Sequence, residues 1–392
     1  MLGLIPAENW EYGLDDMFTG LMSAIKHGGQ NSPLYINGIG SCIPTRSARV
    51  AIYTAIKVLN LPSDARIGVP LYCCPVVFKA IKAAGCRHCF IDVDLDTCCI
   101  SPEDLQRKRN NLDAVIAVHM FGNTCDMTKL LEIAKEKPII EDCAQSIGSE
   151  INGRMTGTFG AIAVFSFRSG KYLSVGEGGA VFSNQPAVIE KLSHAISLLP
   201  APKLSDELKH VAETYIRTML RTRPFYGLVG YPLWQFYNKT VDYSAKSPII
   251  FGQSYISDLV TTTKRLKNLK AAIHKQRTYA DLYRRELKIE EGMYCREKPE
   301  TFYNRYLYPI LTHSMNQRDQ IAEHLLKLRI GTAKPYHDIA EVAAKYYGYK
   351  GDCPVAEQVA NRILVMPNYY NLKEHEILHI AQCFNEGLSI IS

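Results

Sequence analysis

Short apolar runs of strand length alternate with segments of helical period between residues 44 and 184, and this alternation limits the chain to few folds. In one helical segment, from Ala48 to Leu59, apolar side chains recur every three or four positions. Strand-length runs occur at 67–70, 88–93, 114–118 and 139–140. Strands that alternate with helices in this way favour a mostly parallel sheet flanked by crossover helices. We therefore predict an α/β fold whose ligands bind at the carboxyl ends of the strands.

The pattern changes in the second half of the chain and predicts a separate, smaller unit. Helical spacing resumes from Leu266, a strand is expected at 303–311, and a helix at 372–386 closes the sequence. A chain of 392 residues is long enough to form two hydrophobic cores. We predict a large domain over residues 1–245 and a smaller α+β domain over 246–392.

An aromatic and basic insertion lies near residues 200–240 and fits neither the helical nor the strand period. At its richest it reads RTRPFYGLVGYPLWQFYN, in which Gly227, Gly230 and Pro232 would interrupt a long helix. Such a composition is compatible with peripheral contact with a membrane surface or with binding of a sugar nucleotide. The broken pattern favours a dimer-interface or lid insertion over both.

Composition, the lengths of the apolar runs and the first residues of the sequence exclude several protein classes. No run reaches the roughly 18 apolar residues of a membrane-spanning helix, and the start MLGLIPAENWEYGLDD lacks the layout of a secretory signal. The 12 cysteines are therefore expected to be reduced thiols of a cytoplasmic protein. Cys86 and Cys89 form a lone CxxC pair, so no metal site is predicted. A net charge of +6 suits a phosphorylated ligand and does not require nucleic acid.

Chemically active side chains follow two strand-length runs of the predicted sheet. Asp142 and Gln145 come just after the first run in PIIEDCAQSIGSE, and Ser166 and Lys171 come just after the second in GAIAVFSFRSGK. Because the ends of parallel strands meet at one edge, these groups are expected to lie together. Lys171 alone is compatible with a solvated loop lysine, and Asp142 alone with a helix cap. Their grouping favours a cofactor site.

Pyridoxal phosphate (PLP) chemistry needs this combination of groups. A lysine amine binds the cofactor covalently, a carboxylate keeps the pyridine nitrogen protonated, and hydroxyl and backbone N–H groups bind the phosphate. Lys171 would also move the proton at the substrate carbon as general base and acid. His119, at the end of the 114–118 run, is a further catalytic candidate, with a core histidine as the alternative.

Three motifs resemble those of the DegT/StrS-type sugar aminotransferases, which are fold-type I PLP enzymes of the aspartate aminotransferase superfamily. They are I-E-D-C-A-Q-S-I-G, F-S-F-R-S-G-K-Y-L-S-V-G-E-G-G and V-H-M-F-G-N-T-C-D-M, and the match extends to L-V-M-P-N-Y-Y near the end. The resemblance implies that an amino acid donor, expected to be glutamate, supplies an amino group to a keto sugar, expected to be nucleotide-linked. It further implies a cytoplasmic homodimer that acts in cell-surface polysaccharide or secondary-metabolite biosynthesis.

The resemblance also assigns roles to cofactor-binding residues. It makes Lys171 the Schiff-base lysine and Asp142 the partner of the pyridinium nitrogen. Gln145 would lie by the phenolic oxygen of the cofactor and Ser166 by its phosphate.

Other positions match the family's phosphate-binding, ring-stacking and substrate segments. The phosphate-binding helix start, in SARVAIYTAI, supplies backbone N–H groups to the anion. The ring-stacking position falls in PLYCCP, and a loop that approaches the substrate falls in AKPYH. The corresponding candidates are Ser47, Ala48 and Arg49 for the phosphate, Tyr72 and Cys74 for the ring, and Tyr336 and His337 for the substrate.

Departures from the family pattern leave two alternative functions open. Ala48 stands where glycine is usual, Cys74 replaces a common aromatic residue, and F-G-Q-S-Y occupies the place of the family's G-Y-N-Y-R, which serves the neighbouring subunit's phosphate. Some relatives catalyse sugar dehydration, but they replace the lysine that is present here as Lys171. The altered phosphate segment is compatible with a regulatory or binding homologue that has lost catalysis.

Overall fold

The structure is a computed structural model of the chain, and it describes residues 3–27, 32–233 and 248–391. The predicted domain boundary at 245 and 246, and the part of the aromatic stretch from Trp234 onward, lie outside these ranges. Among the described residues, no helix is long and apolar enough to cross a membrane.

An eight-stranded sheet forms the centre of the amino-terminal half. Across the sheet the strands are β1 (Leu34–Ile36), β2 (Gly40–Thr45), β10 (Gly179–Phe182), β9 (Ile162–Ser166), β6 (Ile139–Asp142), β5 (Ala114–Val118), β3 (Arg66–Pro70) and β4 (Arg87–Ile91). Strands β4, β3, β5, β6 and β9 run parallel to one another, whereas β10 is antiparallel to both β9 and β2. The predicted α/β architecture is confirmed.

Burial on both faces explains why the central strands are apolar throughout. Every residue of β5 is buried, as are all residues of β9 except Ser166. A parallel strand covered by helices on both faces has no polar side, so its sequence reads as a continuous apolar run.

Helices flank this sheet and begin where the sequence provides caps. They are α1 (Leu14–His27), α2 (Ala48–Val58), α3 (Pro75–Ala83), α4 (Pro102–Lys108), α5 (Met127–Ala134), α6 (Pro186–Ser197) and α7 (Leu204–Arg221). The Ser47 side chain caps α2 by accepting from the Val50 N–H, and Ser101 caps α4 in the same way. Proline occupies the first turn of α4, as its sequence predicted.

The expectation that the stretch near 200–240 has no regular structure is wrong for its first part. Residues 204–221 form the 18-residue helix α7, and a π-helical turn follows at Tyr226–Gly230. The buried face of α7 includes His210, Thr214 and Thr218, which are polar. The helical period was nevertheless present in the sequence and was overlooked beside the aromatic end of the stretch, since apolar residues recur at 204, 208, 211, 215 and 219.

The remaining elements form the carboxyl-terminal part. They are α8 (Ile256–Leu266), α9 (Leu269–Glu286), β11 (Thr301–Phe302), β12 (Tyr308–Leu311), α10 (Met315–Lys327), α11 (Ile339–Tyr347), α12 (Pro354–Arg362), β13 (Ile363–Met366) and α13 (Glu374–Ile391). Strands β12 and β13 pair antiparallel, and apolar side chains from α9, α10 and α13 pack with them in a second hydrophobic cluster. Strand β11 pairs instead with β7 (Glu150–Ile151), which pairs with β8 (Arg154–Met155).

Candidate active site

The sheet brings the ends of β6 and β9 side by side. Asp142 is the last residue of β6 and pairs with Val164 of the neighbouring parallel strand β9, which ends at Ser166. Lys171 lies in the loop between β9 and β10, and its amine and the Asp142 carboxylate interact electrostatically. The structure therefore places these three side chains at one edge of the sheet, as predicted.

Lys171 lies in an environment that favours its neutral form. Burial, followed by the positive charge of Arg168, lowers the pKa of the Lys171 amine to about 8. Its Nζ atom lies 4.9 Å from the centre of the Tyr306 ring, and Tyr306 fixes the lysine loop by donating a hydrogen bond to the Gly170 carbonyl (2.7 Å). An amine that loses its proton near neutral pH is available as a nucleophile and as a base.

Asp142 is a buried carboxylate with an open position for a cation. Its side chain accepts one hydrogen bond, from the Ala144 N–H to Oδ1 (3.0 Å), and Oδ2 has no partner among the described residues. Burial raises the pKa of Asp142, and the Ala144 bond and the charge of Lys171 only partly oppose this effect. A protonated pyridine nitrogen would supply the missing cationic donor, so the carboxylate fits the ring of PLP.

The start of α2 lies against the end of β9. Gly179 of β10 pairs with Ser166 on one side and with Thr45 on the other. A Cβ atom at Gly179 would lie 2.7 Å from the Ala48 N atom, which shows how closely the helix start approaches. Ser47, Ala48, Arg49 and Ser166 are all half-buried, so the amides of the helix start and the Ser166 hydroxyl fit a phosphate group.

The loop that carries Lys171 is held by the helix that sequence reasoning missed. Gly176 has a φ of 119°, and a Cβ atom there would lie 2.7 Å from Thr214 Oγ1 of α7. The Glu177 N–H donates to Asp258 Oδ2 (3.3 Å), and Asp258 Oδ1 bonds to His210 Nε2 of α7 (2.8 Å). Helices α7 and α8 therefore fix the return of the loop into β10.

His119 is enclosed in the core and does not face the Lys171 cleft. Its side chain is fully buried, its Nδ1 accepts from the Cys125 N–H (3.0 Å), and its Nε2 bonds to Glu141 (3.2 Å). Burial would raise the pKa of Glu141, but the bond from His119 and backbone N–H groups hold it below its usual value. These contacts are those of a core histidine, so the geometry does not support His119 as a catalytic residue.

Tyr72 also lies beneath the cleft. It has no exposed surface, its hydroxyl donates to the Pro335 carbonyl (2.9 Å), and its ring meets the edge of the Tyr336 ring at 5.6 Å. Tyr72 therefore supports Tyr336 and has no exposed surface with which to stack on a ring. Cys74 remains half-buried at the start of α3, where its thiol interacts electrostatically with Lys171.

The other predicted residues differ in their access to the cleft. Gln145 is buried, and its Oε1 accepts from the Phe121 N–H (3.0 Å). Tyr336 is half-buried with a φ of 57°, a left-handed conformation that costs free energy for a tyrosine. His337 is exposed and its Nδ1 lies 3.2 Å from the Lys334 carbonyl. Tyr336 therefore faces the Lys171 region more closely than His337 does.

Several functional candidates were missed in the sequence. Arg168 is exposed, makes no ion pair with a described carboxylate, and lies in electrostatic range of Lys171 and Glu8. It stands inside the F-S-F-R-S-G-K motif, so the motif could have revealed it. Glu8 carries no such signal. It reaches the site because the amino-terminal segment crosses the Lys171 loop.

A small cavity of about 20 Å³ adjoins Lys171 on the side of the carboxyl-terminal part. It is lined by Ala7, Glu8, Asn9, Gly170, Lys171, Tyr172, Gln276, Tyr306, Leu307, Asn368, Tyr369 and Tyr370. Five separate segments of the chain therefore meet around this cavity, one of which carries the lysine.

The sequence model of the DegT/DnrJ/EryC1/StrS aminotransferase family matches residues 35–203 and 259–385. The chain belongs to this family. The aminotransferase is 25% identical to the GDP-perosamine synthase of Escherichia coli O157:H7, over 87% of this chain and 84% of that protein. It is also 25% identical to the dTDP-4-dehydro-2,3,6-trideoxy-D-glucose 4-aminotransferase of Saccharopolyspora spinosa, over 87% of this chain and 83% of that protein.

Solved structures share the fold of this aminotransferase. The PLP form of the putative sugar aminotransferase Spr1654 from Streptococcus pneumoniae matches with a TM-score of 0.74 and 16% identity, over 99% of this chain and 100% of that chain. The fold-type I architecture and the family expected from the motifs are confirmed.

Proposed function

We propose that this aminotransferase transfers an amino group from L-glutamate to a nucleotide-linked keto sugar, with PLP bound covalently to Lys171. The observation that carries this proposal is the pairing of a lysine amine whose pKa is lowered to about 8 with a buried carboxylate that has an open oxygen. When bound, PLP supplies an electron sink that stabilises negative charge at the reacting carbon. The two relatives named above have keto-sugar or amino-sugar chemistry in their names, which supports the substrate class.

Several side chains around Lys171 would hold the cofactor. Asp142 would accept a hydrogen bond from the ring nitrogen and keep it protonated. The helix start at 47–49 and Ser166 would bind the phosphate, and Cys74 would lie on the ring face. Gln145 would lie near the phenolic oxygen.

Lys171 would move the proton during both half-reactions. Its neutral amine accepts a proton from the donor's α-carbon and later gives one to the former keto carbon of the sugar. Burial and Arg168 keep the amine neutral at lower pH than an ordinary lysine, because both lower its pKa. The Tyr306 bond to Gly170 limits the motion of the loop that carries it.

Arg168 is the cation that we assign to the donor. Its guanidinium is exposed close to Lys171 and has no ion-pair partner among the described residues. Arginine binds carboxylates through two parallel hydrogen bonds. A carboxylate of glutamate would therefore neutralise Arg168 during the first half-reaction.

We further propose a cytoplasmic homodimer with a large domain over 1–245 and a small domain over 246–392. All 12 cysteines are free thiols in the structure, which suits a reducing compartment. The outward face of α1 is apolar and exposed, which suits contact with a second subunit. It consists of Leu14, Phe18, Met22 and Ile25.

Replacement of Lys171 tests the proposed function directly. Purified wild-type protein with PLP is expected to show a visible absorption band that bleaches when L-glutamate is added, with release of 2-oxoglutarate. Lys171→Ala is expected to lose both the covalent cofactor link and turnover, whereas the exposed control Lys191→Ala retains them. The assignment would be refuted if borohydride still reduced a covalent bond between PLP and the Lys171→Ala protein. It would also be refuted if wild-type protein stayed colourless with PLP.

A further inference from the structure

A stack of three side chains, His210, Tyr255 and Arg46, lies behind the return of the lysine loop. The His210 ring is nearly parallel to the Tyr255 ring, with 3.9 Å between their centres. The guanidinium carbon of Arg46 lies 3.8 Å from the centre of the same Tyr255 ring. Two groups this close to one centre cannot share a face, so His210 and Arg46 cover opposite faces of the ring. An aromatic face attracts a positive charge, so the stack can hold a cation on each side.

The two ends of the stack bind consecutive amides of the lysine loop. At one end His210 Nε2 bonds to Asp258 Oδ1 (2.8 Å), and Asp258 Oδ2 accepts from the Glu177 N–H (3.3 Å). At the other end the Arg46 carbonyl accepts from the Gly178 N–H (2.9 Å). The return of the loop is therefore bonded to both ends of the stack.

Arg46 also connects the stack to the start of α2. It directly precedes Ser47, the residue that caps this helix. The Arg46 side chain is buried, makes no ion pair with a described carboxylate, and donates from Nε to the Gln253 carbonyl (2.8 Å). Its position is therefore fixed by the Tyr255 ring and this bond. The stack links the loop that carries Lys171 to the proposed phosphate-binding helix start.

His210 lies among acidic groups that favour its charged form. Asp258 of α8, Glu177 of the loop and Glu207 of α7 all act on the imidazole. Burial would lower the pKa of His210, but these three charges together raise it above its ordinary value of 6.5. Tyr12, which borders Asp258 and Glu207, stays neutral because burial raises its pKa. His210 is therefore protonated at low pH and loses its charge as the pH rises through the raised pKa.

Most of the stack lies outside the parts of the chain that match the family model. The model matches residues 35–203 and 259–385, whereas His210, Tyr255 and Asp258 lie between these two parts. Only Arg46 falls within a matched part. Membership of the family therefore assigns no role to these contacts.

We infer that His210 is a positioning residue for the cofactor, and that its imidazolium form keeps the lysine loop and the start of α2 at a fixed separation; the inference rests on the proposed function. PLP would be held at two points, by Lys171 and by the helix start. A separation that is fixed in advance reduces the ordering that binding at both points requires. When His210 loses its proton, its ion pair with Asp258 becomes a neutral hydrogen bond and its cation–π contact with Tyr255 is lost. PLP is therefore expected to bind less tightly above the His210 pKa than below it.

The ratio of PLP affinities between His210→Gln and wild type tests this role. Glutamine keeps a donor for Asp258 but carries no charge, so the advantage of wild type is expected to fall at least fivefold between pH 6 and pH 9.5. The ratio at each pH cancels the titration of Lys171, which both proteins contain. The control His194→Gln, on the exposed side of α6, should match wild type at both pH values. A ratio that does not change with pH would show a purely structural role and overturn the inference.

A second variant removes the other charge of the pair. Asp258→Asn keeps the size and the acceptor of the side chain, and it is expected to give the same pH-dependent change in PLP affinity. This variant decides the question if His210→Gln does not fold. An Asp258→Asn protein whose ratio to wild type is constant with pH would also contradict the inference.

Hydrogen exchange of cofactor-free protein reports the same contacts without PLP. The Glu177 and Gly178 amides bond to the two ends of the stack, so the peptide that contains them should exchange faster in His210→Gln than in wild type at pH 6. Equal exchange in the two proteins would contradict the proposed role of His210. Absence of the glutamate half-reaction in wild type would contradict the proposed function alone, because neither PLP affinity nor exchange depends on turnover.

Discussion

Burial shifts the pKa values of Asp142 and Lys171, the two charged groups at the end of the sheet, in opposite directions. It raises the pKa of the Asp142 carboxyl and lowers that of the Lys171 amine, so each group loses part of its usual preference for the charged form. A cation beside Asp142 restores its charge, while Arg168 keeps the Lys171 amine neutral. The residues therefore prepare the site for a cofactor that brings its own positive nitrogen.

Removal of the Asp142 charge should slow the chemistry more than cofactor binding. In Asp142→Asn the neutral amide cannot stabilise a protonated ring nitrogen, so we expect the rate of the glutamate half-reaction to fall by about 100-fold or more. Stopped-flow absorbance measures that rate, and the exposed control Asp96→Asn should match wild type. A half-reaction of normal rate in Asp142→Asn would exclude the role assigned to this carboxylate.

The pH dependence of Lys171 labelling follows from its lowered pKa. Only the neutral amine reacts, and it forms above the pKa, so labelling of cofactor-free protein should rise with pH around a midpoint of about 8. Exposed lysines should reach their midpoints near the ordinary value of 10.5. Arg168→Leu removes a charge that lowers the pKa of Lys171 and should move its midpoint upward, whereas the exposed control Arg217→Leu should not. A Lys171 midpoint equal to that of surface lysines would show that the amine is not in this environment.

The sequence motifs predicted the positions of Lys171 and Asp142 better than those of the residues around them. Lys171 and Asp142 follow buried strands, so their shared edge could be deduced from the order of strands and helices. His119 also follows a strand, but the turn after it directs its ring into the core, and no local pattern shows that direction. Glu8 lies more than 160 positions from Lys171 in the chain. Only the tertiary path of the amino-terminal segment brings the two together.

At the level of elements, the start of α2 depends on the absence of a side chain at Gly179. A Cβ atom there would lie 2.7 Å from both the Ala48 N atom and the Phe165 carbonyl oxygen. We expect Gly179→Val to destabilise the protein by about 1–3 kcal/mol through overpacking and to weaken PLP binding by displacing the helix start. Thermal unfolding and PLP titration measure the two effects. Gly292→Ala, where no atom lies within 4 Å, is the control, and normal PLP affinity in Gly179→Val would contradict the phosphate assignment.

Buried apolar strands were predicted well, whereas the buried face of α7 was not. Strand β5 was predicted at its observed bounds, because all of its residues are buried and apolar. The apolar residues of α7 do recur at helical spacing, but several of them, such as Leu204 and Leu208, are exposed. The inner face instead carries His210, whose bond to Asp258 supports the lysine loop, and a hydrophobic pattern does not record such a buried polar contact.

On the scale of the whole molecule, the apolar face of α1 gives the proposed homodimer a test. Wild type is expected to have twice the chain mass of 44.0 kDa by light scattering. Phe18→Asp places a charge in the centre of the exposed apolar face and should shift the mass toward 44.0 kDa, whereas Thr19→Asp, beside that face, should not. A wild-type protein that is already monomeric would remove the dimer from the proposal, and a dimeric Phe18→Asp would place the interface elsewhere.

The path of residues 4–11 has a practical consequence for anyone who prepares this enzyme. Leu4 is fully buried, and the chain reaches Glu8, beside the reactive amine, only four residues later. A purification tag fused in front of Leu4 would begin a few residues from the part of the chain that lies beside the lysine loop, and we expect it to disturb that segment. The opposite end of the chain is the safer attachment point, because α13 finishes at the surface with Ile390 74% exposed.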